Sequence, residues 1–137
     1  MADEAVLLYE LEPPVPFTRA DNTGVEKGAF LILADPATVA TTTGDTDEII
    51  GIAAEEKIAD DGNTTIPVYL RGIFKATAGA AGVTAGLAVI SDTGTGSANE
   101  LVVADVNSEA IVGMALETAT DRQTFRLYLN PFNVNLA

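Results

Sequence analysis

The 137-residue chain contains no cysteine, no histidine and no tryptophan. Without cysteine there is no disulfide, no thiol nucleophile and no thiolate metal site, and without histidine there is no imidazole base. The compartment stays open, because a cysteine-free chain suits a reducing cytosol and a virion alike. Basic residues are scarce too: 7 Lys and Arg stand against 20 Asp and Glu, a net charge of −13. A surface of that sign repels phosphate backbones, which argues against nucleic acid as a partner. No apolar run approaches the 18 or so residues of a membrane helix, and the longest, around Phe30–Ala34, has strand length. No membrane partner is expected. The opening M-A-D-E-A-V-L-L-Y carries acids where a secretory signal carries basic residues, so no signal peptide is expected either.

What is present is apolar and repetitive. Hydrophobic residues make up 47% of the chain, which argues for a packed core rather than disorder. The length suits one domain. Residues 49–55 read I-I-G-I-A-A-E and residues 111–117 read I-V-G-M-A-L-E. Upstream of each lies a second shared phrase, G-V-E-K-G-A-F-L-I-L-A-D from Gly24 and G-V-T-A-G-L-A-V-I-S-D from Gly82. Downstream of each, a polar turn leads to an alternating run, I-P-V-Y-L-R-G or F-R-L-Y-L-N. Three phrases in one order indicate two copies of one β unit, spanning about residues 24–74 and 82–130.

The chain before these copies reads differently. Residues 1–22 form an extended N-terminal arm, because Pro13, Pro14 and Pro16 deny regular pairing. Its apolar residues Val6, Leu7, Leu8, Tyr9, Leu11, Val15 and Phe17 suggest contact with a partner or a sister subunit. Residues 23–137 are then a single β domain. Phe30–Leu33 reads as a strand buried on both faces, residues 36–47 as a surface loop, and Asp60–Asn63 as a hairpin turn. Pro67 marks an edge position or a strand opening. The tail from Asn130 alternates and suits one more edge strand. Gly28 and Gly86 fall in tight turns. Gly51 and Gly113, mid-strand at equivalent places, suggest a bulge or a point where another backbone comes close. Short β-branched runs and the lack of a ten-residue amphipathic helix predict an all-β fold, a compact β-barrel or β-sandwich of two similar units. Closure would hide the strand edges.

Chemistry is sparse. Asp45, Asp47 and Glu48 form one acidic cluster and Asp60 and Asp61 another, but neither has the ligand spacing of a calcium loop, so solvated turn acids are the better reading. Glu55 and Glu117 could be imagined as a carboxylate pair. Their equivalence already follows from the repeat. Gly94-x-Gly96 and Gly79-x-x-Gly82 lack the strand, helix and lysine of a phosphate loop. Arg71, Arg122 and Arg126 could meet an acidic partner, or be plain surface charges. No catalytic residue, cofactor or metal is expected.

The phrases V-x-x-G, I-G-I-A-x-E and V-Y-L-R-G, and above all V-G-M-A-L-E-T-A-T-D-R-Q-T-F-R-L-Y-L-N at 112–130, resemble a family of tailed-virus capsid decoration, or cement, proteins. The resemblance spans Val25–Phe74 and Val83–Asn130. It implies a non-enzymatic β protein, made in the host cytoplasm and bound to the outer surface of a viral head. There it would bridge subunits of the major capsid protein as a homo-oligomer, a trimer in preference to a dimer. The proline-rich stretch 10–16 departs from the family pattern. A competing reading is a virion-displayed module that binds a ligand or carbohydrate, which would need a concave aromatic site.

Overall fold

Runs of four to six residues rich in Val, Ile and Thr, broken by Gly, Asp and Pro, can pair as strands but cannot bury a helical face. The computed structural model describes residues 3–42, 49–91, 99–104 and 110–133, and none of these is helical. The all-β expectation holds. β1 (Val6–Glu10) opens the chain, followed by β2 (Val15–Thr18), β3 (Phe30–Ala34), β4 (Thr38–Thr41), β5 (Ile49–Ala53) and β6 (Thr65–Tyr69). Strands β2 to β6 close into a barrel in the order β2-β4-β3-β5-β6, with β2 parallel to β4 at Thr18 and Thr38 and antiparallel to β6. β7 (Gly72–Thr77), β8 (Ala88–Ser91), β9 (Leu101–Val103), β10 (Ala110–Ala115) and β11 (Thr124–Asn133) form a second sheet with β1, ordered β1-β7-β11-β10-β8-β9. Here too there is a parallel bridge, from Ala78, just past the end of β7, to Leu101 in the edge strand β9.

The halves match in hydrogen bonds as well as in order. Val25 bridges Lys57 as Val83 bridges Ala119. The Gly28 amide donates to Ala53 at 3.0 Å, and the Gly86 amide to Ala115 at 2.8 Å. Both glycines hold a left-handed φ, +85° and +87°, at the third position of a turn closed by Ala29 to Glu26 or Leu87 to Thr84. That conformation is easy for glycine and strained for other residues. A Cβ on Gly51 would run into the carbonyl oxygen of Tyr69, and one on Gly113 into that of Tyr128. Backbone does come close at both places, and a register shift lies beside each.

The N-terminal segment is extended and is worked into both halves. β1 pairs with β7, and β2 is an integral barrel strand between β4 and β6. The structural correspondence therefore reaches upstream of Gly24 and Gly82, to Val15 and Gly72. Other details differ from the sequence reading. Phe30 and Leu31 are buried on opposite faces, but Leu33 is half exposed. β4 lies within the stretch read as a loop, because Val39 points into the barrel. Pro67 stands mid-strand and faces Pro16 of β2, and on its other side its carbonyl accepts from the Ala54 amide at 3.0 Å, just past the last β5–β6 residue pair. Residues Asn130–Asn133 continue β11 and make no separate strand.

Two cores result. Val25, Leu31, Val39, Ile66 and Val68 fill the first barrel. Phe30, Ile49 and Ile52 face the other way and join Phe74, Val89, Leu101, Phe125 and Leu127 of the second half. Burying each such side chain contributes about 2 kcal/mol. The seam also has a polar tie: the Asn99 side-chain oxygen accepts from the Phe30 amide at 2.9 Å, and its NH₂ donates to the carbonyls of Asp3 at 2.7 Å and Gly28 at 3.1 Å. Asn99→Ala strips partners from buried backbone groups of the other half. The expected cost is about 3 kcal/mol, read by urea unfolding, with β-sheet circular dichroism retained.

Candidate functional site

The residues predicted to make partner contacts divide between surface and core. Val6, Leu8, Leu11 and Val15 are exposed, and Tyr9, at 64%, is the most exposed aromatic among the described residues. Leu7 packs against the shared core and Phe17 against the barrel core. Alternation along β1 puts Leu7 inside and Leu8 outside, and the bulge between Leu7 and Tyr9 turns Tyr9 outward as well.

β1 is one end of a wider apolar row. Strand pairing sets Tyr9 opposite Ile73, Ile73 opposite Tyr128, Tyr128 opposite Met114 and Met114 opposite Ala88. Directly opposed residues project to the same face, so these five side chains cross the outside of the second sheet. At its far end lies an open, mostly apolar groove of about 340 Å³, lined by Gly86, Ala88, Ile111, Met114, Tyr128 and Asn130. The adjoining outer row contains Val6, Lys75 and Arg126. Arg71 donates a hydrogen bond to the Tyr128 hydroxyl, lies 5.8 Å from the ring centre and pairs with Glu12 at 3.6 Å. Glu117 accepts from the Arg126 backbone amide at 2.9 Å and from its Nε at 3.3 Å. These are strand-end anchors, exposed to water, where an ion pair contributes little.

Among the described residues the acidic positions show no ligand set. Asp45, Asp47, Glu48, Gly94 and Gly96 lie outside the described residues. Gly79 and Gly82 close a turn with each other. Among the described residues no three carboxylates gather to hold a metal. Asp61 and Asp21 instead surround the buried ammonium of Lys57, at 2.8 Å and 2.9 Å, with the carbonyls of Ile58 at 2.7 Å and Asp21 at 3.2 Å. The cation in this turn is a side chain. Sequence reasoning missed Lys57, although its partner in the second copy is Ala119 and the mismatch was visible. It also missed Arg19, whose buried guanidinium bonds the carbonyls of Val39 at 3.3 Å and Gly24 at 3.5 Å.

Of the described aromatic side chains, Tyr9 and Tyr128 stand on the outer row, and most of the others turn inward. Phe30, Phe74 and Phe125 are core residues, and Tyr69 stacks edge-on against Phe74 with centroids 5.6 Å apart. What the fold offers is a duplicated, wholly β scaffold with an apolar outer face and an acidic remainder. That is the build of a structural protein. The family model of the phage cement protein matches residues 12–129, and the chain belongs to that family. Its role is accordingly a structural one at the phage head. Among solved structures, the N base of head fiber gp8.5 in bacteriophage phi29 shares the fold. It has 18% identity, a TM-score of 0.55, and coverage of 88% of this chain and 98% of that one. No curated protein matches the chain.

The Lys57 cluster has a pH signature. Burial opposes the Lys57 charge, but hydrogen bonds and charge from Asp61 and Asp21 outweigh it and raise its pKa above the ordinary 10.5. The Lys57 hydrogen bond, aided by the Asn63 amide, holds Asp61 below the ordinary 3.8. The Asp61 contribution is therefore present above its unfolded value and lost as pH falls through the native one. The Lys57 contribution is present below its unfolded value and lost as pH rises through the native one. Lys57→Met should lower the melting temperature by several degrees at pH 7. The gap to the parent should narrow once acid protonates Asp61, a comparison that thermal melts across pH make directly.

Proposed function

We propose that the protein cements a phage head from outside, binding the outer capsid surface and bridging subunits of the major capsid protein. Membership of the cement family over residues 12–129 carries this reading. It acts as a homo-oligomer, a trimer in preference to a dimer, and performs no catalysis. The physical logic is multivalency: each contact is modest, and an oligomer that engages several capsid subunits at once gains avidity without any single strong contact. A cement protein also needs a rigid body and exposed apolar side chains with which to dock. The two-core β scaffold supports the first need, and the exposed Leu8, Leu11 and Val15 support the second.

Because β2 belongs to the barrel, deletion of residues 5–17 would remove a structural strand along with any contact. Point substitution is the cleaner test. Leu8→Glu with Leu11→Glu should leave the fold and melting temperature intact, and should weaken co-sedimentation with empty heads by at least tenfold. Undiminished head occupancy would remove this segment from the capsid contact.

A further inference from the structure

The first copy departs from the second at one corner of the seam. There Ala5, Leu7, Ala53, Ala54, Tyr69 and Phe74 line a sheltered pocket of about 320 Å³, with the exposed Glu4 and Lys27 at its mouth. A shallower recess of about 240 Å³ adjoins it, walled by the same Glu4 and Lys27 and by Glu26 and Glu56. The Val25–Lys57 bridge sets Glu26 and Glu56 side by side, and like charges so placed repel. In the second copy the Val83–Ala119 bridge sets Thr84 beside Thr118, whose hydroxyl accepts from the Ala85 amide at 3.1 Å. Lys27 and Ala54 differ too, standing where the second copy has Ala85 and Leu116. The Ala54 and Leu116 amides bond alike, to the carbonyls of Pro67 at 3.0 Å and Arg126 at 2.8 Å, so the backbone here does not require alanine.

We propose that this corner receives an extended segment of the capsid surface, with one apolar side chain in the pocket and a neighbouring lysine or arginine in the recess. The pocket has the apolar, aromatic lining of a site for an anchoring side chain. The rim supplies the charge. Among the described residues neither Lys27 nor Glu4, Glu26 and Glu56 forms an ion pair, so the fold itself does not use these carboxylates. They do not converge as the ligands of a metal ion would. Burial, with the charges of Glu10 and Glu55, pushes the Tyr69 hydroxyl above its ordinary 10.0, so the potential is negative on that side of the pocket too. A lysine or arginine suits such a boundary, since its stem packs on apolar surface while its head meets carboxylates. Val6 shares the pocket wall and opens β1, so the site runs on into the exposed Leu8 of the proposed capsid contact. The inference rests on the cement reading and names the chemistry of the surface it meets.

The test is co-sedimentation of the full chain with empty heads, for the parent, for Ala54→Leu and for the pair Glu26→Thr with Glu56→Thr. Each variant carries residues that the second copy holds at the same places, so each should fold. Relief of the Glu26–Glu56 repulsion should leave the melting temperature of the pair at or above the parent's. Ala54→Leu should crowd out the anchor, and both variants should weaken head binding by about tenfold. Raising the salt should weaken the parent more than the glutamate pair. Variants that decorate heads as well as the parent does would overturn the inference and leave the cement function standing. Loss in Ala54→Leu alone, with the pair's binding and salt response unchanged, would overturn it as well, since the partner would then bring no cation here. A parent that leaves the heads bare would sink the cement reading itself, and the inference with it.

Discussion

One amide side chain holds the halves in a fixed relation. Asn99 belongs to the second half, yet all three of its described hydrogen bonds end on backbone of residues 3–30. Apolar faces alone tolerate sliding, because burial is non-directional. A buried amide does not, since each displaced bond leaves a desolvated polar group unpaired. The shared core supplies most of the adhesion between the halves, and Asn99 supplies the position. Phe30 depends on both, its ring in the common core and its amide on Asn99.

Around that tie the copies have diverged according to what covers them. Phe30 and Ile52 face their sister unit, while Ala88 and Met114 in the same register face outward. The turn after β5 gained Lys57 with its two aspartates, where the second copy has Ala119. Positions fixed by backbone geometry did not diverge. Gly51 and Gly113 both sit where a strand carbonyl leaves no room for a Cβ, and Gly28 and Gly86 both need a left-handed turn.

Those constraints explain how much could be read from the sequence. Features dictated by local geometry were legible: the strands, the glycine-centred phrases and the pairing of the halves all follow from periodicity and from turns that only glycine fits easily. The partition of exposure was not. Nothing in Leu7 or Phe17 distinguishes them from Leu8 or Val15 until β1 and β2 find their neighbours, and a bulge then reverses the alternation. β4 was hidden because one buried Val39 among Thr and Ala is a faint period-2 signal. Asn99 was invisible, as an asparagine whose partners lie about 70 residues away or more leaves no local pattern. The candidate contact residues could be named only as a group, and their division between core and surface required the fold.

The split placement of the first two strands bears on how the molecule is made. Val6 pairs with Lys75, so β1 emerges from the ribosome well before β7 exists to receive it. The barrel can close as soon as β6 is available, with β2 already in hand, and so tethers the first strand while it waits. Distant pairings of this kind slow folding, because loop entropy is lost before the contact repays it. Early barrel closure shortens the effective loop and keeps an apolar strand, V-L-L-Y-E, beside its eventual site rather than free to pair with other nascent chains.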